Sequence, residues 1–152
     1  MTWAPNLHPL LVHFPIAWLT AALIFDLVSH ALPRAAWAET MAGVLYPTGA
    51  LAAWVAVLSG RQAAATVLTP GMAHAVVLEH WNWALATAIC FSAVAVIRLA
   101  YVVRQRRPPF WVRAGLTAAA LAGMMLLFQT GERGVRLVYE YGVGVGIPGA
   151  RR

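Results

Sequence analysis

Apolar residues run along this chain in long stretches separated by short polar breaks. Four stretches, residues 9–32, 37–59, 73–103 and 110–129, are long enough to cross a bilayer, which takes about 20 residues of helix. The breaks are Pro33-Arg34, the segment from Gly60 to Gly71 with its Thr69-Pro70-Gly71 turn, and RQRRPP at 104–109. Backbone groups in lipid need internal partners, and no strand-like alternation of about ten residues recurs, so the stretches predict helices rather than barrel strands. The expected fold is all-α: an integral membrane four-helix bundle, up-down-up-down, over residues 1–130, followed by a glycine-rich extramembrane tail or lid at 131–152. Pro15 and Pro47 fall inside their helices and each removes a backbone donor. A first helix that starts near Pro9 and kinks at Pro15 is long enough to span. Gly43, Gly49, Gly115, Gly123 and the alanines at 118–120 are small enough to let helices approach closely.

Composition agrees with this pattern. Hydrophobic residues make up 61% of the 152 positions and charged ones only 11%, against about 25% charged in a soluble domain. All eleven basic residues are arginine, and five acids leave a formal charge of +6. In a soluble protein that excess points to nucleic acid; here the arginines lie between apolar stretches and orient a protein among membrane lipids, with no nucleic-acid partner. The compact RQRR loop belongs in the cytoplasm, which puts both termini on the external side of a bacterial inner membrane. No positive charge precedes the first stretch, and it is longer than the 7–15 residues of a signal core, so it reads as an uncleaved anchor. Trp3, Trp37, Trp81, Trp83 and Trp111 sit near predicted helix ends, as interfacial anchors do. Cys90 is the single cysteine, so there is no internal disulfide, no cysteine-based zinc motif and no CxxCH for covalent haem.

The candidate chemistry lies in the histidines. In an alternating bundle the starts of the first and third helices share an end, so His8, His13, His74 and His80 converge there while His30 lies at the other. Counted from the helix starts, His8 is level with His74 and His13 with His80, the second pair about 7–10 Å deeper. Facing imidazoles from two helices are what bis-histidine haem ligation requires, and this favours His13 and His80 as ligands of a haem b iron, with His8 and His74 as alternates. Five residues turn a helix by about 140° and six by about 120°, so neither helix aims both its histidines at one site. A mononuclear metal site of three or four histidines ranks below haem for that reason, and a purely interfacial role is the plain alternative, most of all for His8 and His74.

Glu79 adjoins His80 but points about 100° away and suits a solvated acid at headgroup level. Asp26 stands four residues before His30, a spacing that allows a hydrogen-bonded pair, with proton relay as the sharper reading. Cys90 reads as a small buried hydrophobe, and Met124 and Met125 as core fillers. The stretch from Thr130 to Pro148 is too polar and glycine-rich to continue a membrane helix. As a lid it would offer Arg133, Arg136, Tyr139 and Tyr141 to acidic groups such as haem propionates.

HPLLVHFPIA at the start, the histidine-bearing start of the third helix, and LVYEYGVGV within 131–145 resemble the bacterial family called domain of unknown function 2231. The resemblance covers nearly the whole chain, although Val135 follows Gly134 where the family usually has a glycine pair before xLVY. That family is similar, distantly, to the two-haem membrane cytochromes b, and some members are fused to or encoded with c-type cytochromes. The resemblance implies a redox setting, haem b carried by His8, His13, His74 or His80, and other membrane or c-type cytochrome subunits as partners. The expectation is an electron carrier rather than an enzyme. Two alternatives stand beside it: a cofactor-free accessory subunit of a respiratory or photosynthetic complex, and a small proton or solute transport bundle using Asp26, Glu79 and the histidines.

Overall fold

The computed structural model describes residues 7–32 and 34–145. They form four long helices: α1 (His8–Ala31), α2 (Ala36–Thr66), α3 (His74–Val103) and α4 (Phe110–Tyr139). All four spans are long and apolar enough to cross a membrane, and no strand occurs among the described residues. The helix α1 packs on α2, α2 on α3 and α3 on α4, while α4 closes the ring more thinly on α1. In this up-down-up-down order α1 and α3 stand diagonally across the bundle.

Local chemistry sets the breaks. Helix α1 is interrupted for one residue at Val12, because Pro15 has no N–H to offer the Leu11 carbonyl, and the next bond, Ile16 N–H to Val12 O, is long at 3.4 Å. Pro47 stands inside α2 without ending it. Helix α3 closes with Arg106 N–H returning to Tyr101 O and Gln105 N–H to Val102 O, which puts Gln105 in the left-handed region at φ 50°. Pro109 then caps α4, its carbonyl accepting from Val112 and Arg113 N–H.

Two helices outrun the sequence pattern. Helix α2 passes Gly60 and ends at Thr66, and α4 passes Gly131 and Gly134 and ends at Tyr139, so the segment from 131 to 139 is helix rather than tail. The overrun is supported by charge pairs along α4, Arg136 with Glu140 at 3.0 Å and with Glu132 at 3.9 Å, and by histidine rings packed against Gly60 and Gly134. Gly142, at φ 64°, ends the run, and Gly144 lies beside Val67 at the end of α2. The remainder of the expected lid, from 146 onward, lies outside the described residues. At about 1.5 Å per residue α2 and α4 reach about 45 Å, more than the hydrocarbon core of about 30 Å.

The core lies in the middle of the bundle, where Leu19, Ala22, Tyr46, Phe91, Val94 and Ala120 are buried. Gly49 and Gly123 make it possible: a Cβ at Gly49 would stand 2.6 Å from Leu19 Cδ2, and one at Gly123 2.8 Å from Phe91 Cζ. Gly43 and Gly115 have nothing that close, so only two of the four glycines serve close helix approach. Met124 packs on the core, whereas Met125 and Phe128 project outward with the other large apolar residues of a lipid-facing surface. Trp37 and Trp111 are exposed near helix ends; Trp81 and Trp83 are half-buried, and Trp3 lies outside the described residues.

Candidate functional site

Polar side chains gather at both ends of this apolar bundle. At one end, His8 opens α1 and His80 lies on α3 diagonally opposite. Their ring centroids are 6.3 Å apart and the planes cross at 81°. His8 Nδ1 is 3.0 Å from Ser59 Oγ on α2, and His80 Nδ1 is 2.9 Å from the Thr130 carbonyl on α4. Ser59 has one hydroxyl hydrogen and gives it to Ala56 O at 2.9 Å, so it accepts from His8; Thr130 O can only accept. His80 therefore carries a proton on Nδ1, while His8 has the Ala56 backbone as a further partner beside Ser59.

Glycine stands behind each ring. A Cβ on Gly60 would lie 3.0 Å from His8 Cε1, and one on Gly134 3.3 Å from His80 Cε1. Around the pair, Arg133 reaches Glu79 at 3.0 Å and Gln129 Oε1 at 2.8 Å and lies over Trp83 at 5.1 Å. Thr87 and Thr130 hydroxyls meet at 3.1 Å beneath it.

His13 and His74 are not in this cluster. Both are exposed, their Nδ1 atoms turned to Leu10 O at 3.3 Å and Gly71 O at 3.1 Å of their own first turns. The structure thus brings His8 to His80 where counting from helix starts pairs His13 with His80 and His8 with His74. Two physical facts produce the difference. One histidine per helix can face inward at five- and six-residue spacing, and α3 begins a full turn and a half above His80, whereas His8 is itself the first residue of α1. Among the described residues no three side chains of metal-ligating type converge, so the arrangement for a three- or four-histidine metal site is absent from them. Of the groups expected at the mouth, Arg133 lies beside the pair, Arg136 is held by Glu140 and Glu132, and Tyr139 is exposed.

The opposite end is built on charge. Asp26, 1% exposed, is ion-paired with Arg98 of α3, which lies over the Tyr46 ring at 4.7 Å. Asp26 and His30 do not bond directly; Thr117 of α4 stands between them, its Oγ1 2.7 Å from Asp26 Oδ2 and 2.9 Å from His30 Nε2. Ser29 bonds Asp26 O at 2.7 Å and receives Arg113 Nη2 at 3.2 Å, and Arg113 also faces Glu39 at 3.9 Å. Sequence reasoning took Arg98 and Arg113 as orienting charges and passed over Ser59, Thr117 and Thr130, whose residue types carry no spacing motif. The readable signal was Arg98 itself, an arginine inside an apolar stretch, which in lipid calls for a partner.

Comparison with known proteins yields one family. No curated protein and no solved structure matches the chain. The sequence profile of the predicted membrane protein family DUF2231 matches residues 4–146, nearly the whole chain and both polar ends, and the chain therefore belongs to that family.

Proposed function

We propose that this protein is a b-type-cytochrome-like electron carrier of the bacterial inner membrane, in which His8 and His80 would hold one haem b. The observation that carries this reading is the His8–His80 pair: two imidazoles from diagonal helices, 6.3 Å apart, each with its Nδ1 bonded. His8 and His80 would hold the iron as imidazole nitrogen donors. An Nδ1–H bonded to a carbonyl or hydroxyl orients the ring and makes Nε2 a better donor, as in metal-bound histidines generally. The other two helices carry glycine at this level, Gly60 and Gly134, and each imidazole itself fills the space beside that glycine and lies against the helix backbone. Arg133, beside the pair, would meet acidic substituents on such a group. When bound, haem iron takes up and releases one electron, and the bundle's part is to hold the ligands and set the potential. The arginines of the loop at 104–107 are exposed, which supports placing that loop in the cytoplasm and the His8 end outside.

The test is the absorption spectrum of the purified protein, expressed with haem supply, with and without dithionite. A Soret band is expected that His8→Ala and His80→Ala each abolish while His13→Ala and His74→Ala leave it intact. Folded wild type without the band would overturn the haem reading, and a band that survives both His8→Ala and His80→Ala would overturn the ligand assignment.

A further inference from the structure

We infer that Asp26 is an internal proton-accepting site, loaded from the Arg98 end of the bundle through His30 and Thr117. The argument rests on hydrogen-bond direction. Thr117 has a single hydroxyl hydrogen and two oxygens to choose from, Asp26 Oδ2 at 2.7 Å and Arg113 O at 3.0 Å. The charged and nearer carboxylate takes it. His30 Nε2, 2.9 Å from the same Oγ1, must then be the donor. The order is His30 Nε2–H to Thr117 Oγ1–H to Asp26 Oδ2, a directed chain that leads from a half-buried ring to a carboxylate shielded from solvent.

The step balances. A hydronium ion at the bundle end gives a proton to His30 Nδ1; the Nε2 proton passes to Thr117 Oγ1 as the original hydroxyl proton passes to Asp26 Oδ2. One N–H and one O–H bond break within the chain, a new bond to hydrogen forms at each of its three stations, and water is released from the hydronium. His30 is left uncharged with its proton on Nδ1, and a ring rotation or a second exchange with water resets it. Nothing is oxidised or reduced.

Every helix presents a group to this carboxylate. Arg98 of α3 pairs with it, Tyr46 of α2 lies within reach of its charge, Thr117 of α4 bonds it, and His30 of its own helix leads to it. Arg113 and Glu39 flank the site and partly offset one another. The loaded state leaves Arg98 without its counter-charge. Ionisable groups in membrane helices characteristically mark proton paths, and this one is independent of the histidine pair about 27 Å away along α1.

Asp26 is the only aspartate in the chain, which allows a direct test on the wild-type protein. With ¹³C-carboxyl aspartate incorporated and the protein in lipid nanodiscs, infrared difference spectra after an acid jump should show one isotope-shifted carboxylic C=O band. Thr117→Val and His30→Phe should each delay its appearance by about tenfold or more, and Thr117→Ser should restore the wild-type rate. Should a variant fail to fold, the labelled wild type still decides: no carboxylic band at any pH that leaves the helices intact overturns the proposal. Equal rates in wild type, Thr117→Val and His30→Phe overturn the route. Loss of haem binding moves neither measurement.

Discussion

At the His8 end four helices hold two imidazole rings through an uncharged hydroxyl and a carbonyl; at the Asp26 end the same four hold a carboxylate between a guanidinium and a hydroxyl. The first arrangement orients both rings through neutral partners. The second brings opposite charges together where water is scarce, so each partner is costly without the other. It also bridges α1 and α4, whose mutual packing is thin, through the contacts of Thr117 with Asp26 and His30 and of Arg113 with Ser29. One end is therefore arranged around neutral hydrogen bonds and the other around charge that ties the ring of helices shut.

The contrast can be broken most directly by removing one charge. Asp26→Ala strands Arg98 and should cost about 3–5 kcal/mol, read from denaturant titration of helicity in micelles, while Asp26→Leu with Arg98→Met recovers most of the loss. A double variant as unstable as the single one would show that the pair is not what closes the bundle. The middle that separates the ends is tested by Gly123→Ala, which presses on the buried Phe91 ring and should cost about 1–3 kcal/mol. Gly115→Ala, with open space around it, should be neutral or gain up to about 1 kcal/mol of helix propensity; equal effects would deny that Phe91 is tightly seated. At the other end Ser59→Ala removes the acceptor for His8 Nδ1 and should cost about 1 kcal/mol, with the His8 imidazole signals in NMR shifting and those of His13 unmoved. The smallest effect belongs to Arg133→Gln. Its pair with the largely exposed Glu79 should contribute under about 1 kcal/mol and fade with added salt; a loss approaching that of Asp26→Ala would erase the distinction between the ends.

The spans were legible because lipid leaves a helix few alternatives, and apolar length reports it directly. Their ends were less so. Gly60, Gly131 and Gly134 read as breakers by local propensity, yet the first and last sit against histidine rings in the fold, and packing of that kind is a tertiary fact. The histidines could be assigned to one end from alternation alone. Their pairing could not, since it depends on how far α3 rises above His80 and on which ring of each helix turns inward. The Asp26 cluster was half visible: the four-residue spacing to His30 was there to see, but the intervening hydroxyl comes from Thr117, 91 residues beyond Asp26 in sequence.

The length of α2 and α4 bears on traffic. Both continue past the level of the His8–His80 pair, Thr66 lying six residues beyond Gly60 and Tyr139 five beyond Gly134, so the pair sits inside a short collar at one end of the bundle. A group seated between the two rings is therefore reached from that one face, and the height of the collar decides how near a visitor can come.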